Sequence, residues 1–275
     1  MIVTWDGIEL FSRSTGAKGE KRILILGGTG DGVALAIRIA AIPGVTVITS
    51  LAGRVVESKM PTTHGRVGGF GGVAGLVDYL QEQQIDGLID ATHPFACQIK
   101  FNGAAAAREV GIPHLILLRP PWKPQIEGED GVTDHWIEVD GYEKAVALLP
   151  QLAQRVFLTI GRQSLPTFAS LQNLWFLMRM IDPPPPCTPI PMGKVILERG
   201  PFSLAHERSL LQDYKIDVVV SKNSGGEATY AKLIAARELG IPVVMIQRPP
   251  VPVAEIVTDV ESAIGWLTTL LTGLG

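Results

Sequence analysis

Residues 22–32 read RILILGGTGDG. An Ile/Leu run of strand length, cut off by glycines instead of alternating with polar residues, is the pattern of a strand buried on both faces. Residues 33–41 have a helical composition that Pro43-Gly44 terminates, and residues 45–50 (VTVITS) form a β-branched second strand. Strand, glycine turn, helix and strand at this spacing predict a parallel sheet wrapped by helices.

Outward from this core the alternation continues. A glycine-rich stretch, 65–75, leads to a helix over 76–84, a strand over 87–91, a helix over 95–110 and a strand over 114–118. After Pro120-Pro121 it stops: residues 122–141 hold Pro124, Gly128, Gly131 and a cluster of acids, which is a linker composition. A second series then runs through helix 142–151, strand 156–160, strand 174–180 and an extended proline loop at 183–191. It ends with strand 195–197, helix 202–214, strand 216–221, helix 228–239, strand 243–247 and a last helix over 257–271.

The two series share a repeat. Residues 106–121 read AAREVGIPHLILLRPP and residues 235–250 read AARELGIPVVMIQRPP, identical at ten of sixteen positions. A common helix-to-strand loop explains Gly-Ile-Pro but not the shared Ala-Ala-Arg-Glu and Arg-Pro-Pro. The expected fold is therefore α/β, two Rossmann-like parallel-sheet lobes with a cleft between them. The expected divisions are an N-terminal extension (1–20), a nucleotide-binding lobe (21–121), a linker (122–141) and a second lobe on the substrate side (142–275).

Composition narrows the function. With 46% hydrophobic and 19% charged residues the chain reads as an ordinary globular protein, and its net charge of −3 gives no whole-chain field for nucleic acid or an acidic membrane. Two cysteines are no disulfide scaffold, and five dispersed histidines show no metal-type spacing, so no structural metal is expected. Residues 1–20 mix Asp6, Glu9 and Arg13 with apolar residues, unlike a signal peptide, and the expected location is cytoplasmic.

The glycine turn carries the first chemical signal. Gly28, Thr29, Gly30 and Asp31 lie where a Rossmann sheet brings backbone N–H groups and a helix N-terminus to a pyrophosphate. The spacing departs from strict G-x-G-x-x-G. NAD-binding domains usually end the second strand in an acid that accepts from the ribose 2′-hydroxyl. Here Ser50 and Arg54 occupy that region and no acid comes before Glu57, which suits the 2′-phosphate of NADPH better than NADH. Gly69 and Phe70, in a second glycine cluster, read as a wall for a flat ligand. No tyrosine is followed four residues later by lysine, so the short-chain dehydrogenase pair is absent.

These pieces together resemble the precorrin-6A reductases of cobalamin biosynthesis. The resemblance rests on the turn at Gly27–Asp31, Ala52-Gly53-Arg54, Gly68-Gly69-Phe70-Gly71-Gly72 and Asp90-Ala91-Thr92-His93-Pro94-Phe95-Ala96. It continues with Arg119-Pro120, Gly200-Pro201-Phe202 with Glu207, Lys222-Asn223-Ser224-Gly225-Gly226 and Arg248-Pro249. It implies NAD(P)H-dependent reduction of a polycarboxylate tetrapyrrole held between two lobes. It leaves open whether that macrocycle is metal-free or carries cobalt. Arg66, His93, Arg119, Arg162, Lys222, Asn223, Ser224 and Gly225 are then the expected substrate contacts, with Thr92 beside the cofactor. His93 and Lys222 are the catalytic candidates, and the alternatives are a helix-capping histidine and a solvated lysine. A non-catalytic binding protein for NADP or an organic anion is the rival reading.

Overall fold

The computed structural model describes residues 20–51, 64–126 and 131–273. The first series is β1 (Lys21–Leu26), α1 (Gly30–Ala40), β2 (Val45–Leu51), β3 (His64–Val67), α2 (Gly72–Glu82), β4 (Gly87–Asp90), α3 (Cys97–Val110) and β5 (His114–Leu117). The second begins with β6 (Trp136–Val139), α4 (Tyr142–Leu152), β7 (Arg155–Thr159) and, after a 3₁₀ turn, the four-residue α5 (Leu165–Phe168). It continues with β8 (Trp175–Met180), β9 (Gly193–Leu197), α6 (Leu204–Asp213), β10 (Val218–Lys222), α7 (Ala231–Glu238) and β11 (Val243–Ile246). Last come β12 (Glu255–Val257) and α8 (Val260–Thr272).

Two six-stranded sheets result, ordered β3-β2-β1-β4-β5-β12 and β9-β8-β7-β10-β11-β6. Both are parallel throughout; the first has the 3-2-1-4-5-6 order of a dinucleotide-binding fold, and the second has the same layout with its sixth place filled by β6, the first of its strands in the chain. Each sheet is buried on both faces. In the first, Ile23 and Ile25 face α1 and α8 while Leu24 and Leu26 face α2 and α3. That is why β1 reads as an unbroken apolar run. Among the described residues no helix is long and apolar enough to cross a membrane.

Pairing overturns the expected boundaries in two places. β6, expected within a linker, is the sixth strand of the second sheet, and β12, expected in the second lobe, is the sixth strand of the first. Each lobe thus takes one edge strand and the helix after it from the segment that leaves the other lobe. Both crossings start at the repeated Arg-Pro-Pro, where proline rings prevent the strand from continuing.

The two crossings are locked against the loop after β10. Asn223 accepts from the Trp122 N–H at 2.8 Å and donates to the Trp122 carbonyl at 3.0 Å. Arg248 donates to the carbonyls of Asn223 (2.8 Å), Arg119 (2.7 Å) and Ser224 (3.0 Å). Gly225, at φ +67°, lets the first crossing pass: a Cβ there would sit 2.1 Å from the Pro120 carbonyl oxygen.

Candidate functional site

The loop after β1 divides its glycines by role. Among the described residues, a side chain at Gly28 or Gly30 would meet no atom within 4 Å, whereas one at Gly32 would press on Ala91 Cβ at 3.2 Å. The first two leave open space before the N-terminus of the eleven-residue α1, and the third lets the helix pack on the sheet. Thr29 is the N-cap: its hydroxyl accepts from Gly32 N–H (3.0 Å) and donates to the Ala91 carbonyl (2.7 Å). Asp31 turns towards Arg119, with Nη1–Oδ2 at 3.0 Å.

At the ends of β2 and β3 a cation stands beside Ser50. Arg66 donates to the Ser50 hydroxyl (3.2 Å) and to the carbonyls of Gly68 (3.1 Å) and Gly69 (3.0 Å). Its guanidinium lies 3.8 Å over the Phe70 ring and 5.1 Å from that of Tyr79. Burial lowers the Arg66 pKa, partly offset by Tyr79. Arg66, expected as a substrate contact, thus lies in β3 beside Ser50 of the first lobe. Arg54 lies outside the described residues.

The loop after β4 rests on a buried ion pair. Asp90 and Lys100 have side chains with 0% exposure, and Nζ–Oδ1 is 3.1 Å. Thr92 joins them: its N–H and hydroxyl donate to Asp90 (2.9 and 2.6 Å), and its hydroxyl accepts from Lys100 (2.9 Å). The Thr92 hydroxyl thus has its proton committed to Asp90 inside the lobe. His93 Nδ1 accepts from the Phe95 N–H at 3.2 Å, which leaves the ring proton on Nε2. Burial is the main cause that pushes the His93 pKa down to about 2, with Lys222, Arg119, Lys100 and Arg248 adding repulsion. His93 is neutral.

Phe95 carries this loop into the other lobe, where it packs against the second lobe's apolar core. Lys222 Nζ lies 5.4 Å over its ring. Arg119 bridges the same gap, donating to the Ser224 carbonyl (2.8 Å) and to Asp31. The carboxyl ends of the two sheets thus meet at His93, Lys222 and Arg119. Asn223, Ser224 and Gly225 build the crossing lock, and Arg162 donates to the Pro183 carbonyl at 2.9 Å. Arg248 has its donors on neutral carbonyls, so its charge persists in the cleft.

A second buried cluster lies in the second lobe; sequence reasoning named Phe202 and Glu207 but missed Lys232 and the ion pair. Arg179 is paired with Glu207, whose side chain is fully buried, and lies 3.7 Å over the Phe202 ring. Lys232 donates to the Thr229 carbonyl at 2.7 Å and faces the Trp122 ring. Burial first, then Arg179 and Lys222 against Glu207, pushes the Lys232 pKa down to about 7. A buried lysine on a helix face that is otherwise Leu233 and Ala236 is the signal that could have found it. Among the described residues no group of three His, Cys, Asp or Glu side chains could hold a metal ion.

Residues 22–268 match the family described as Precorrin-6x reductase CbiJ/CobK. A Precorrin-6A reductase of Rhodococcus erythropolis is 52% identical over 250 residues, 90% of this chain and 98% of that one. One of Rhodobacter capsulatus is 43% identical over 249 residues, with 90% and 95% covered. The solved structure of a CobK precorrin-6A reductase superposes with a TM-score of 0.83 at 42% identity, covering 91% of this chain and 97% of that one. By sequence and by fold, this chain belongs to the Precorrin-6x reductase CbiJ/CobK family and is a reductase.

Proposed function

We propose that this reductase uses NADPH, seated on the first lobe, to reduce the metal-free macrocycle precorrin-6A in cobalamin biosynthesis. The observation that carries the reading is the open backbone at Gly28 and Gly30 before α1, beside a cleft whose loops bring Lys222, Arg119 and Arg248 around a neutral His93. The names of the relatives at 52% and 43% identity supply the substrate.

The donor set fits the dinucleotide. Gly28–Gly30 and the α1 N-terminus suit its pyrophosphate, and Ser50 with Arg66 suits a 2′-phosphate. The second lobe is poorly built for a second nucleotide: at the place corresponding to α1 it has the four-residue α5. The dinucleotide would supply the hydride. Lys222, with Arg119 and Arg248, anchors substrate carboxylates and aligns the macrocycle. His93 donates a hydrogen bond from Nε2 but, being neutral, releases no proton to the substrate. Positioning of the two reactants then provides most of the acceleration.

Three measurements test this. NADPH and NADH are titrated separately, then precorrin-6A or its cobalt form is added and cofactor oxidation followed. No oxidation with metal-free precorrin-6A overturns the proposal, and faster turnover of the cobalt form reassigns the substrate. Arg66→Ala should raise KM for NADPH about 10- to 100-fold while changing that for NADH about twofold or less, as expected for losing charge-assisted bonds to one phosphate. An equal loss for both cofactors would place Arg66 elsewhere.

The third measurement is a pH series. The folded state holds His93 deprotonated far below its ordinary pKa of about 6.5, so the unfolded chain binds the extra proton as pH falls. Stability from this site is complete above pH about 6.5 and falls by up to about 1.4 kcal/mol per unit below it. In His93→Gln, denaturation free energy should decline less steeply between pH 6.5 and 5 than in the parent. An identical slope would mean that His93 titrates normally.

A further inference from the structure

The repeat sets Arg119 and Arg248 at equivalent positions, and both side chains reach the loop after β10. They are used differently. Arg248 has Nε, Nη1 and Nη2 all on carbonyl oxygens, those of Asn223, Arg119 and Ser224. Arg119 places Nε on the Ser224 carbonyl at 2.8 Å and Nη1 on the Asp31 carboxylate at 3.0 Å. Among the described residues its Nη2 donates to no protein group. One arm of this cation is therefore left for a ligand, where the two lobes meet.

The partner on Nη1 is an unexpected residue. Asp31 stands in the first turn of α1, the helix end that suits a pyrophosphate, where a second anion repels one. The helix does not need it as a cap, since the Thr29 hydroxyl already accepts from Gly32 N–H. Nor does the ion pair add much stability: the Asp31 side chain is 43% exposed and the contact runs through one nitrogen. What remains is geometry. The Arg119 stem lies against Gly226, where a Cβ would sit 3.1 Å from Cδ and 3.2 Å from Nε. Stem and Nε are thus fixed by the second lobe, and Asp31 fixes the far end of the planar guanidinium from the first. Two anchored points set the direction in which Nη2 points.

We propose that Asp31 is a positioning residue for the reaction: it holds the Arg119 fork so that Nη2 meets a carboxylate of the substrate, and it does not itself bind the dinucleotide. The assignment rests on the reading of Arg119 as a substrate anchor. Charge and geometry predict opposite effects. Asp31 offsets one of the cations around His93, so by charge alone its removal should strengthen the hold on a polycarboxylate. Because it positions the fork, its removal should instead weaken productive binding.

Steady-state kinetics with NADPH and precorrin-6A test this. Asp31→Ala should lower kcat/KM for precorrin-6A about tenfold, the scale of a small misplacement of one reactant. KM for NADPH should stay the same or fall, because a negative charge has left the surroundings of the pyrophosphate. Asp31→Asn, which keeps an acceptor for Nη1 without the charge, should stay within about threefold of the parent. In an Arg119→Lys background, where no fork exists to be oriented, Asp31→Ala should change kcat/KM by about twofold or less. A kcat/KM that rises or does not move in Asp31→Ala overturns the proposal, and so does a raised KM for NADPH. Additive losses in the Arg119→Lys background would do the same, as would Asp31→Asn being as impaired as Asp31→Ala. A parent that oxidises no NADPH with either form of the macrocycle instead removes the reading of the cleft, and this assignment with it.

Discussion

Lys100→Met is expected to destabilise the protein by about 3–5 kcal/mol, the usual cost of leaving a buried charge without its partner. Neither side chain of the Asp90–Lys100 pair reaches solvent, and Lys100 also holds the Thr92 hydroxyl. Without the ammonium, the Asp90 carboxylate keeps the two bonds from Thr92 but no opposite charge. Denaturant unfolding measures the loss, and Asp90→Asn/Lys100→Met should recover part of it because the stranded charge is gone. A loss below about 1 kcal/mol in the single variant would mean that water reaches Asp90. Turnover should fall as well, since this pair supports the loop that presents His93.

Gly225→Ala should cost about 3 kcal/mol or more, because the new Cβ must occupy space held by the Pro120 carbonyl and by Arg248 Nη2, 2.7 Å away. Backbone conformation alone cannot explain so much. Gly240 has nearly the same torsion, φ +66°, with nothing within 4 Å of its Cβ position. Gly240→Ala should therefore report only the left-handed penalty, about 1–2 kcal/mol. The difference between the two melting curves isolates the close passage of the crossing. Equal losses would show that Gly225 serves its torsion only.

Much of the fold was legible. Strands β1, β4 and β10 are central and buried on both faces, and therefore carry unbroken apolar stretches at Ile23–Leu26, Leu88-Ile89 and Val218–Val220. What escaped were β3, β6 and β12, strands of three or four residues that all form sheet edges. At that length there is no period to detect, and Gly65-Arg66 or Glu255 look like loop residues. The exchange of sixth strands was invisible because pairing between distant segments leaves no local mark. The repeated Arg-Pro-Pro flagged both crossing points without saying where the chain goes next.

The candidate site was legible in outline. Loops after β1, β4 and β10 were named, but side-chain direction decided their roles. Arg66, expected as a substrate contact, lies against Ser50, where Phe70 and Tyr79 offer it a stacking face. Asn223 and Thr92 proved to be engaged by their own scaffold. Lys100 sits with Gly103 and Ala107 on one buried face at spacings of three and four, so a lysine heading an apolar stripe was the available clue.

The exchanged strands also set an order of events during synthesis. A ribosome has released every strand of the second lobe by the time Ile246 emerges, whereas the first lobe still lacks β12 and α8. For that interval the apolar flank of β5 and the face of α1 that α8 covers stand open in a nascent chain whose later half is complete. The domain begun first is thus closed after the one begun second, once α8 has left the exit tunnel.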